Sequence, residues 1–234
     1  MGRRMMKMMQ MMNQNNRNYQ KVLDETIRAH ERAGERPRLL LHACCAPCSS
    51  YVLEYLSRYF RITVFDYNPN ISPEAEFRMR TEEIERLVRE MEFPFERPEV
   101  LIGKYDPERF YGAVKGLERV PEGGARCEIC FRLRLTEAAE AAKAGGFDYF
   151  TTTLSISPLK NAALLNAIGE ECAVQYGVPY LYSDFKKRNG YKRSTELSRL
   201  YGLYRQDYCG CVFSKRERED APSNKAEAAD SEKV

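Results

Sequence analysis

Hydrophobic and polar positions along this chain alternate between two rhythms. Residues 19–34 carry the spacing of an amphipathic helix, closed by Gly34 and Pro37. The apolar run Leu39-Leu40-Leu41 follows and ends abruptly in Cys44-Cys45-Ala46-Pro47-Cys48. Beyond Ser49, Val52, Leu53, Leu56 and Phe60 return to helical spacing. The pattern therefore predicts a strand over 38–43, a helix over 49–60, and a cysteine-rich turn between them. Residues 62–67 predict a second strand and Asn68-Pro69-Asn70 a turn. Ser72 as N-cap and Pro73 in the first helical position open a charged helix to about Met91.

Residues 94–102 predict a strand and 106–117 a short helix. Gly123-Gly124 leads into a helix that begins near Arg126 and ends at Gly145-Gly146. Residues 149–154, rich in β-branched and aromatic side chains, predict a strand. Ser157-Pro158 opens a helix that ends at Gly177, 178–182 is the last strand, and 194–202 is a short helix before Cys209-Gly210-Cys211. This alternation predicts an α/β fold, a parallel sheet with helices on both faces in one domain over 18–214. Ligands of such sheets bind at the carboxyl ends of the strands, where the cysteine turn falls. Residues 1–17, with seven methionines in the first twelve positions, are expected to be a disordered extension. Residues 215–234 are expected to be a disordered charged tail, with five acidic and two basic residues from Glu219 onward.

Composition adds limits. With 234 residues, 43% hydrophobic and 30% charged, the chain is globular, and a net charge of +3 does not by itself demand a nucleic-acid partner. No apolar run reaches the roughly 18 residues of a transmembrane helix. Arg3-Arg4 hints at an export signal, but Lys7, Gln10 and Asn13 interrupt any apolar segment. The expectation is a cytoplasmic protein without a membrane partner. In a reducing compartment, eight cysteines point to metal or redox chemistry rather than to a disulfide framework.

Cys127 and Cys130, three apart at a helix start, form a half-site for zinc, for an iron–sulfur cluster or for redox chemistry. Joined to Cys44 and Cys45, they supply four thiolates, which suits an iron–sulfur cluster or zinc. Neighbouring cysteines can face one centre only if the chain has already left the strand. Cys209 and Cys211 flank Gly210, whose freedom allows the tight bend a disulfide would need. A redox-active pair, two metal ligands and two plain thiols are the alternatives there. Cys172 reads as core packing, His42 as a hydrogen-bonded structural histidine, and Cys48 as a first-turn thiol without an assigned partner.

Residues 181–218 hold ten Lys or Arg against four Asp or Glu, a net of +6. Lys186, Lys187, Lys192 and Arg193 form the densest part, with Tyr182, Phe185, Tyr191, Tyr201, Tyr204 and Tyr208 interleaved. Basic groups suit phosphates and aromatic faces suit unpaired bases. The alternative is a solvated face with ordinary tyrosine packing. Lys160, Asp184 and Arg205 are candidates to hold substrate or donate a proton.

Four segments in order resemble the QueH-type epoxyqueuosine reductases over about residues 36–214: His42 to Pro47, Arg126 to Leu135, Thr151 to Leu154 with Ser157 to Lys160, and Tyr204 to Cys211. The resemblance implies an oxidoreductase that converts epoxyqueuosine to queuosine at wobble position 34 of tRNAs with a GUN anticodon (Asp, Asn, His, Tyr). It implies a Rossmann-like fold of the nucleotide α-hydrolase type, a [4Fe–4S] cluster on Cys44, Cys45, Cys127 and Cys130, and a redox-active Cys209–Cys211 pair. It further implies an electron donor, room for a second mononuclear iron, and no cobalamin. The turn lacks the glycine-rich phosphate loop of nucleotide-binding relatives, which counts against ATP use. Two readings from other classes stand beside it. One is a non-enzymatic zinc protein that binds RNA. The other is an iron–sulfur tRNA sulfur-transferase, which would need nucleotide activation.

Overall fold

The computed structural model describes residues 17–220. Of the extension expected over 1–17 only Arg17 is described; residues 1–16 and the tail beyond Asp220 lie outside the described residues. The elements in order are α1 (Tyr19–Ala33), β1 (Arg38–Ala43), α2 (Ala46–Leu56), β2 (Arg61–Asp66), α3 (Glu74–Glu90), β3 (Glu99–Ile102), α4 (Pro107–Ala113), α5 (Ala125–Ala144), β4 (Tyr149–Thr152), a 3-10 turn (Thr153–Ile156), α6 (Ala162–Tyr176), α7 (Gly190–Leu200) and α8 (Val212–Asp220).

The four strands run parallel in the order β3-β2-β1-β4. Side chains of β1 alternate between two cores, as the period of a strand requires. Leu39, Leu41 and Ala43 pack with Leu23 of α1, Val52 and Leu53 of α2, and Ile84 and Leu87 of α3. Leu40 packs on the other face with Phe131 and Leu135 of α5 and Leu165 and Ile168 of α6. Helices therefore cover both faces of the sheet, as the continuous apolar run of β1 demands. The fold is α/β and Rossmann-like. No helix among the described residues is long and apolar enough to cross a membrane.

Several boundaries differ from expectation. Helix α2 begins at Ala46, with Pro47 in its first turn and Cys45 as N-cap. Pro73, not Ser72, is the N-cap of α3. Ser157-Pro158 opens no helix; Asn161 caps α6, its side chain accepting from Leu164 N at 3.1 Å. Residues 178–182 form no strand ladder, only one parallel bridge between Phe150 and Tyr180. Helix α8 extends through residues 215–220, where the sequence predicts the start of the tail. The Arg126 guanidinium holds it in place, donating to Glu217 at 2.6 Å and lying over the Phe213 ring.

Candidate metal centre

Strand order reverses its direction of growth at β1, since β2 lies on one side of it and β4 on the other. A crevice opens there beyond the carboxyl ends of the strands. Cys44 follows β1 immediately, and its Sγ lies 3.9 Å from that of Cys45. Both cysteines stand beyond the end of the strand, which is how neighbours come to face one centre. Pro47 starts α2 early enough to place Cys48 one turn after Cys45. The sulfurs of Cys44, Cys45 and Cys48 all lie within 4.8 Å of one another. Three thiols in one buried turn cannot all ionise. Donation from Cys44 and Cys48 holds the Cys45 thiol well below its ordinary range. Contacts with Cys44 and Cys45 push Cys48 well above it, and the contact with Cys45 raises Cys44.

These three cysteines line a cleft of about 360 Å³ together with Lys160, Arg134, Leu159, Tyr191, Arg205 and Cys209. An adjoining recess is lined by Cys127, Cys130, Cys209 and Cys211, so Cys209 and Glu122 belong to both walls. Seven of the eight cysteines thus gather at one end of the sheet. Cys172 is the exception, buried in the core with its sulfur 3.7 Å from Thr136 Oγ1.

In the recess, Cys127 sits at the start of α5 and accepts from Gly123 N at 3.2 Å, while burial raises its thiol. Burial pushes the Cys130 thiol up to about 12. Cys211 lies at the start of α8 and accepts from Ser214 N at 3.4 Å; burial raises it too. Cys209 and Cys211 are both free thiols. Gly210 between them adopts φ +112°, and its carbonyl accepts from Ser72 N at 3.0 Å. The Cys209 carbonyl accepts from Arg80 Nη1 at 3.4 Å, which ties this loop to α3.

Lys160 is a buried cation of the cleft wall, beside Arg134. Its Nζ lies 3.5 Å from Cys209 Sγ and 3.8 Å from Glu122, and only 11% of its side chain is exposed. Burial works against the ammonium, but the Cys209 sulfur and Glu122 more than offset it and hold Lys160 above its ordinary value. Arg205 lines the cleft at the outer edge and donates to Ser198 Oγ at 3.0 Å. Asp184 is not on the cleft wall; its carboxylate lies 2.9 Å from Lys186 Nζ. Lys186 also donates to the Ser155 carbonyl at 3.0 Å. Arg193 donates twice to Glu54, at 3.0 and 2.6 Å. Lys186 and Arg193 are therefore committed within the fold, whereas Lys187 and Lys192 are exposed.

His42 is structural. His42 Nδ1 lies 2.8 Å from Thr152 Oγ1, which also accepts from Leu154 N at 3.1 Å, and Nε2 lies 3.0 Å from the Tyr67 carbonyl. Burial, helped by Arg134, lowers the imidazole to about 3, so it is neutral.

A thiol-only donor set of this kind fits a soft, thiolate-binding metal centre. Arg134 is a residue whose place in the site sequence reasoning missed, and Cys48, expected as a first-turn thiol near the site, gains Cys44 and Cys45 as neighbours. A signal for Arg134 existed: Cys127, Cys130 and Arg134 stand at i, i+3 and i+7, one face of α5.

Comparison with known proteins gives the same direction. The family model described as "Epoxyqueuosine reductase QueH" matches residues 39–217. A protein of Staphylococcus epidermidis with that name is 46% identical over 200 residues, 84% of this chain and 84% of its own length. The Streptococcus pyogenes protein of that name is 42% identical over 85% of this chain and 78% of its own. The one from Thermotoga maritima is 36% identical over 78% of this chain and 92% of its own. With the family model covering most of the chain and relatives well above the identity at which families blur, the chain belongs to the family of QueH-type epoxyqueuosine reductases.

Proposed function

We propose that the protein reduces epoxyqueuosine to queuosine at position 34 of tRNAs with a GUN anticodon, in the cytoplasm, with electrons from a separate donor. The observation that carries this reading is the gathering of seven cysteines around one cleft at the carboxyl end of the sheet. Removing the epoxide oxygen leaves an alkene and one water, and it takes two electrons and two protons. A [4Fe–4S] cluster supplies single electrons, and neither cobalamin nor ATP has a part in this reading.

The cluster ligands in this proposal are Cys44, Cys45, Cys127 and Cys130. A specific observation favours a second set: Cys48 is within 4.8 Å of Cys44 and Cys45. A mononuclear iron beside the cluster would draw on whichever thiols the cluster leaves, among them Cys48, Cys209 and Cys211.

The chain's own residues then divide the work. Cys209 and Cys211 cycle between dithiol and disulfide, a two-electron couple that supplies both electrons and both protons of one turnover; single electrons from the donor, relayed by the cluster, would restore the dithiol. Lys160 points its ammonium toward Cys209 and donates a hydrogen bond to the departing oxygen. The apolar wall of Leu154, Ile156 and Leu159 keeps water from the reacting ring. Arg205 and Tyr191, the guanidinium carbon 5.9 Å from the ring centroid, offer a stacking platform at the mouth. The cleft has room for a single modified base rather than for a folded loop, so the nucleotide enters unstacked. Lys187 and Lys192 take phosphates.

The test is nucleoside analysis of tRNA from cells that lack their own reductase, with and without this chain. Queuosine should replace epoxyqueuosine. Persistence of epoxyqueuosine despite a full, reduced cluster would sink the assignment and leave the metal reading intact. Zinc without iron or sulfide would instead favour the RNA-binding alternative, and a nucleotide requirement would favour the sulfur-transferase.

A further inference from the structure

A fully buried guanidinium lies against the cysteine cleft, and the proposed chemistry leaves it without a role. Arg134 is 2% exposed. It projects from α5 on the face that also carries Cys127 and Cys130, and it lines the cleft beside Cys44, Cys45 and Cys48. Its hydrogen-bond partners are neutral. Nη2 donates to Asn68 Oδ1, and Nε lies 3.3 Å from Nε2 of the neutral His42. Among the described residues no carboxylate forms an ion pair with it. Asp66 stands behind Asn68, whose amide donates to the Asp66 carboxylate. Thr81 Oγ1 also donates to that carboxylate, at 2.6 Å. Lys160, the second cation of the cleft, takes Glu122 at 3.8 Å for itself.

A buried cation without a contacting anion is costly, by several kcal/mol or more. The groups near Arg134 that can carry negative charge are the sulfurs of Cys130, Cys44 and Cys209 and, behind Asn68, the Asp66 carboxylate, of which the sulfurs act on it most. Burial alone would push the guanidinium down, yet these sulfurs keep it above its ordinary value. The arrangement makes sense when the sulfurs are thiolates held by a metal, since otherwise burial keeps Cys130 protonated, and the Cys45 contact together with burial does the same for Cys44.

We infer that Arg134 is the built-in counter-charge of the cysteine centre, a positioning residue that holds the thiolates together and raises the reduction potential of whatever they bind. This rests on the metal reading proposed above. The physical reason is general. Adding an electron to a thiolate-bound centre adds negative charge, and a fixed cation nearby stabilises the reduced form more than the oxidised one. Asn68 and His42 serve it by holding the guanidinium at Nη2 and Nε.

The experiment compares wild type with R134K, R134Q and R134M after anaerobic reconstitution. It reads iron and sulfide content, the circular dichroism spectrum and the midpoint potential of the centre. R134K keeps a cation, R134Q keeps a donor for Asn68 without charge, and R134M keeps only bulk. The expected result is a midpoint potential shifted to more negative values in R134Q and R134M and close to wild type in R134K. Loss of iron in both neutral variants, with a folded spectrum and with iron retained in R134K, also supports the inference. R134Q loading fully at the wild-type potential would overturn it, as would R134K behaving like R134M. Absence of iron and sulfide from wild type itself would fell the metal reading, and it is read from the same preparation before any variant is compared.

Discussion

Lys160 Nζ lies 3.5 Å from Cys209 Sγ, so two loops 49 residues apart in sequence meet at one sulfur. The first loop leaves β4, and the second precedes α8. Neither Lys160 nor Cys209 belongs to a helix or strand, and their meeting joins the two walls of the cysteine cleft. Charge-assisted contacts of this kind in dry sites are worth about 1.5–3 kcal/mol, or roughly 10- to 150-fold in rate. Lys160→Met should therefore lower single-turnover product formation by that factor at unchanged iron content. Lys160→Arg should recover part of it. Because the ammonium is held above its ordinary value, no limb of the pH–rate profile between about pH 6 and 9 should belong to Lys160. A limb that disappears in Lys160→Arg would contradict that.

Gly210 tests the shape of the cysteine loop. A Cβ there would come 2.9 Å from Arg80 Nη1 and 3.0 Å from Ile71 Cγ1, at a φ of +112° that side chains rarely adopt. Gly210→Ala should cost about 1–3 kcal/mol of stability and displace Cys209 from Lys160. Chemical denaturation checks the first effect and product formation the second. Wild-type values for both would mean that the loop reshapes freely.

His42 sets a pH dependence of stability. Its pKa is lowered to about 3 in the folded chain, below the ordinary value of 6.5. The unfolded chain therefore binds the extra proton first, and the stability conferred by the neutral imidazole is present above pH 6.5 and lost as pH falls toward 3. Asp66, raised to about 6, works in the opposite sense, gaining stability as pH falls below that value. Replacing His42 with Gln removes the first slope only. The stability gap between wild type and His42→Gln should narrow from about pH 7 to about pH 4.5, read as urea midpoints. Parallel curves would show that His42 does not carry the slope.

Much of this was legible in the sequence, and the exceptions have local causes. The strand over 38–43 was readable because its apolar run is buried on both faces. The expected strand over 178–182 stops at a single bridge, in which Phe150 bonds the Pro179 carbonyl and the Leu181 amide, because the next carbonyl, that of Leu181, accepts from Thr151 Oγ1 instead of a strand amide. Helix α8 escaped because its residues are mostly charged, and its order comes from Arg126, far away in sequence. Cys48 had no visible partner, because only the early start of α2 brings it back to Cys45. Lys186 and Arg193 looked like free charges, since a charge count cannot see Asp184 or Glu54 across the fold.

That last distinction divides the basic segment. Lys187 and Lys192 are exposed, while Lys186 and Arg193 are held by internal carboxylates. Each lost phosphate contact should lower the salt-dependence slope by roughly 0.7–0.9. The double variant Lys187→Ala, Lys192→Ala should weaken tRNA binding and flatten the slope by about twice that. Lys186→Ala and Arg193→Ala should lower thermal stability with the slope kept. Equal effects of all four on the slope would mean that the internal pairs open on RNA binding.

The division of labour among the cysteines is the most exposed part of the proposal. Four sulfurs suffice for a cubane, and seven stand around the cleft. Cys44 and Cys45 belong to either candidate set, so serine at each should strip iron and sulfide. Cys127, Cys130 and Cys48 discriminate. If the cluster bridges the two walls, Cys127→Ser and Cys130→Ser lose it and Cys48→Ser retains it. If it sits on the turn after β1, Cys48→Ser loses it, and at least one of Cys127→Ser and Cys130→Ser retains it. Cys209→Ser and Cys211→Ser separate ligand from redox partner. A redox pair predicts wild-type iron and sulfide with product formation lost, and mass spectrometry of trapped thiols should find both dithiol and disulfide after turnover of the wild type. Loss of one iron per chain without loss of sulfide, in either variant, would instead make these two cysteines ligands of a separate iron. Normal turnover by Cys209→Ser would leave the reduction to the cluster alone and make the Lys160 contact structural.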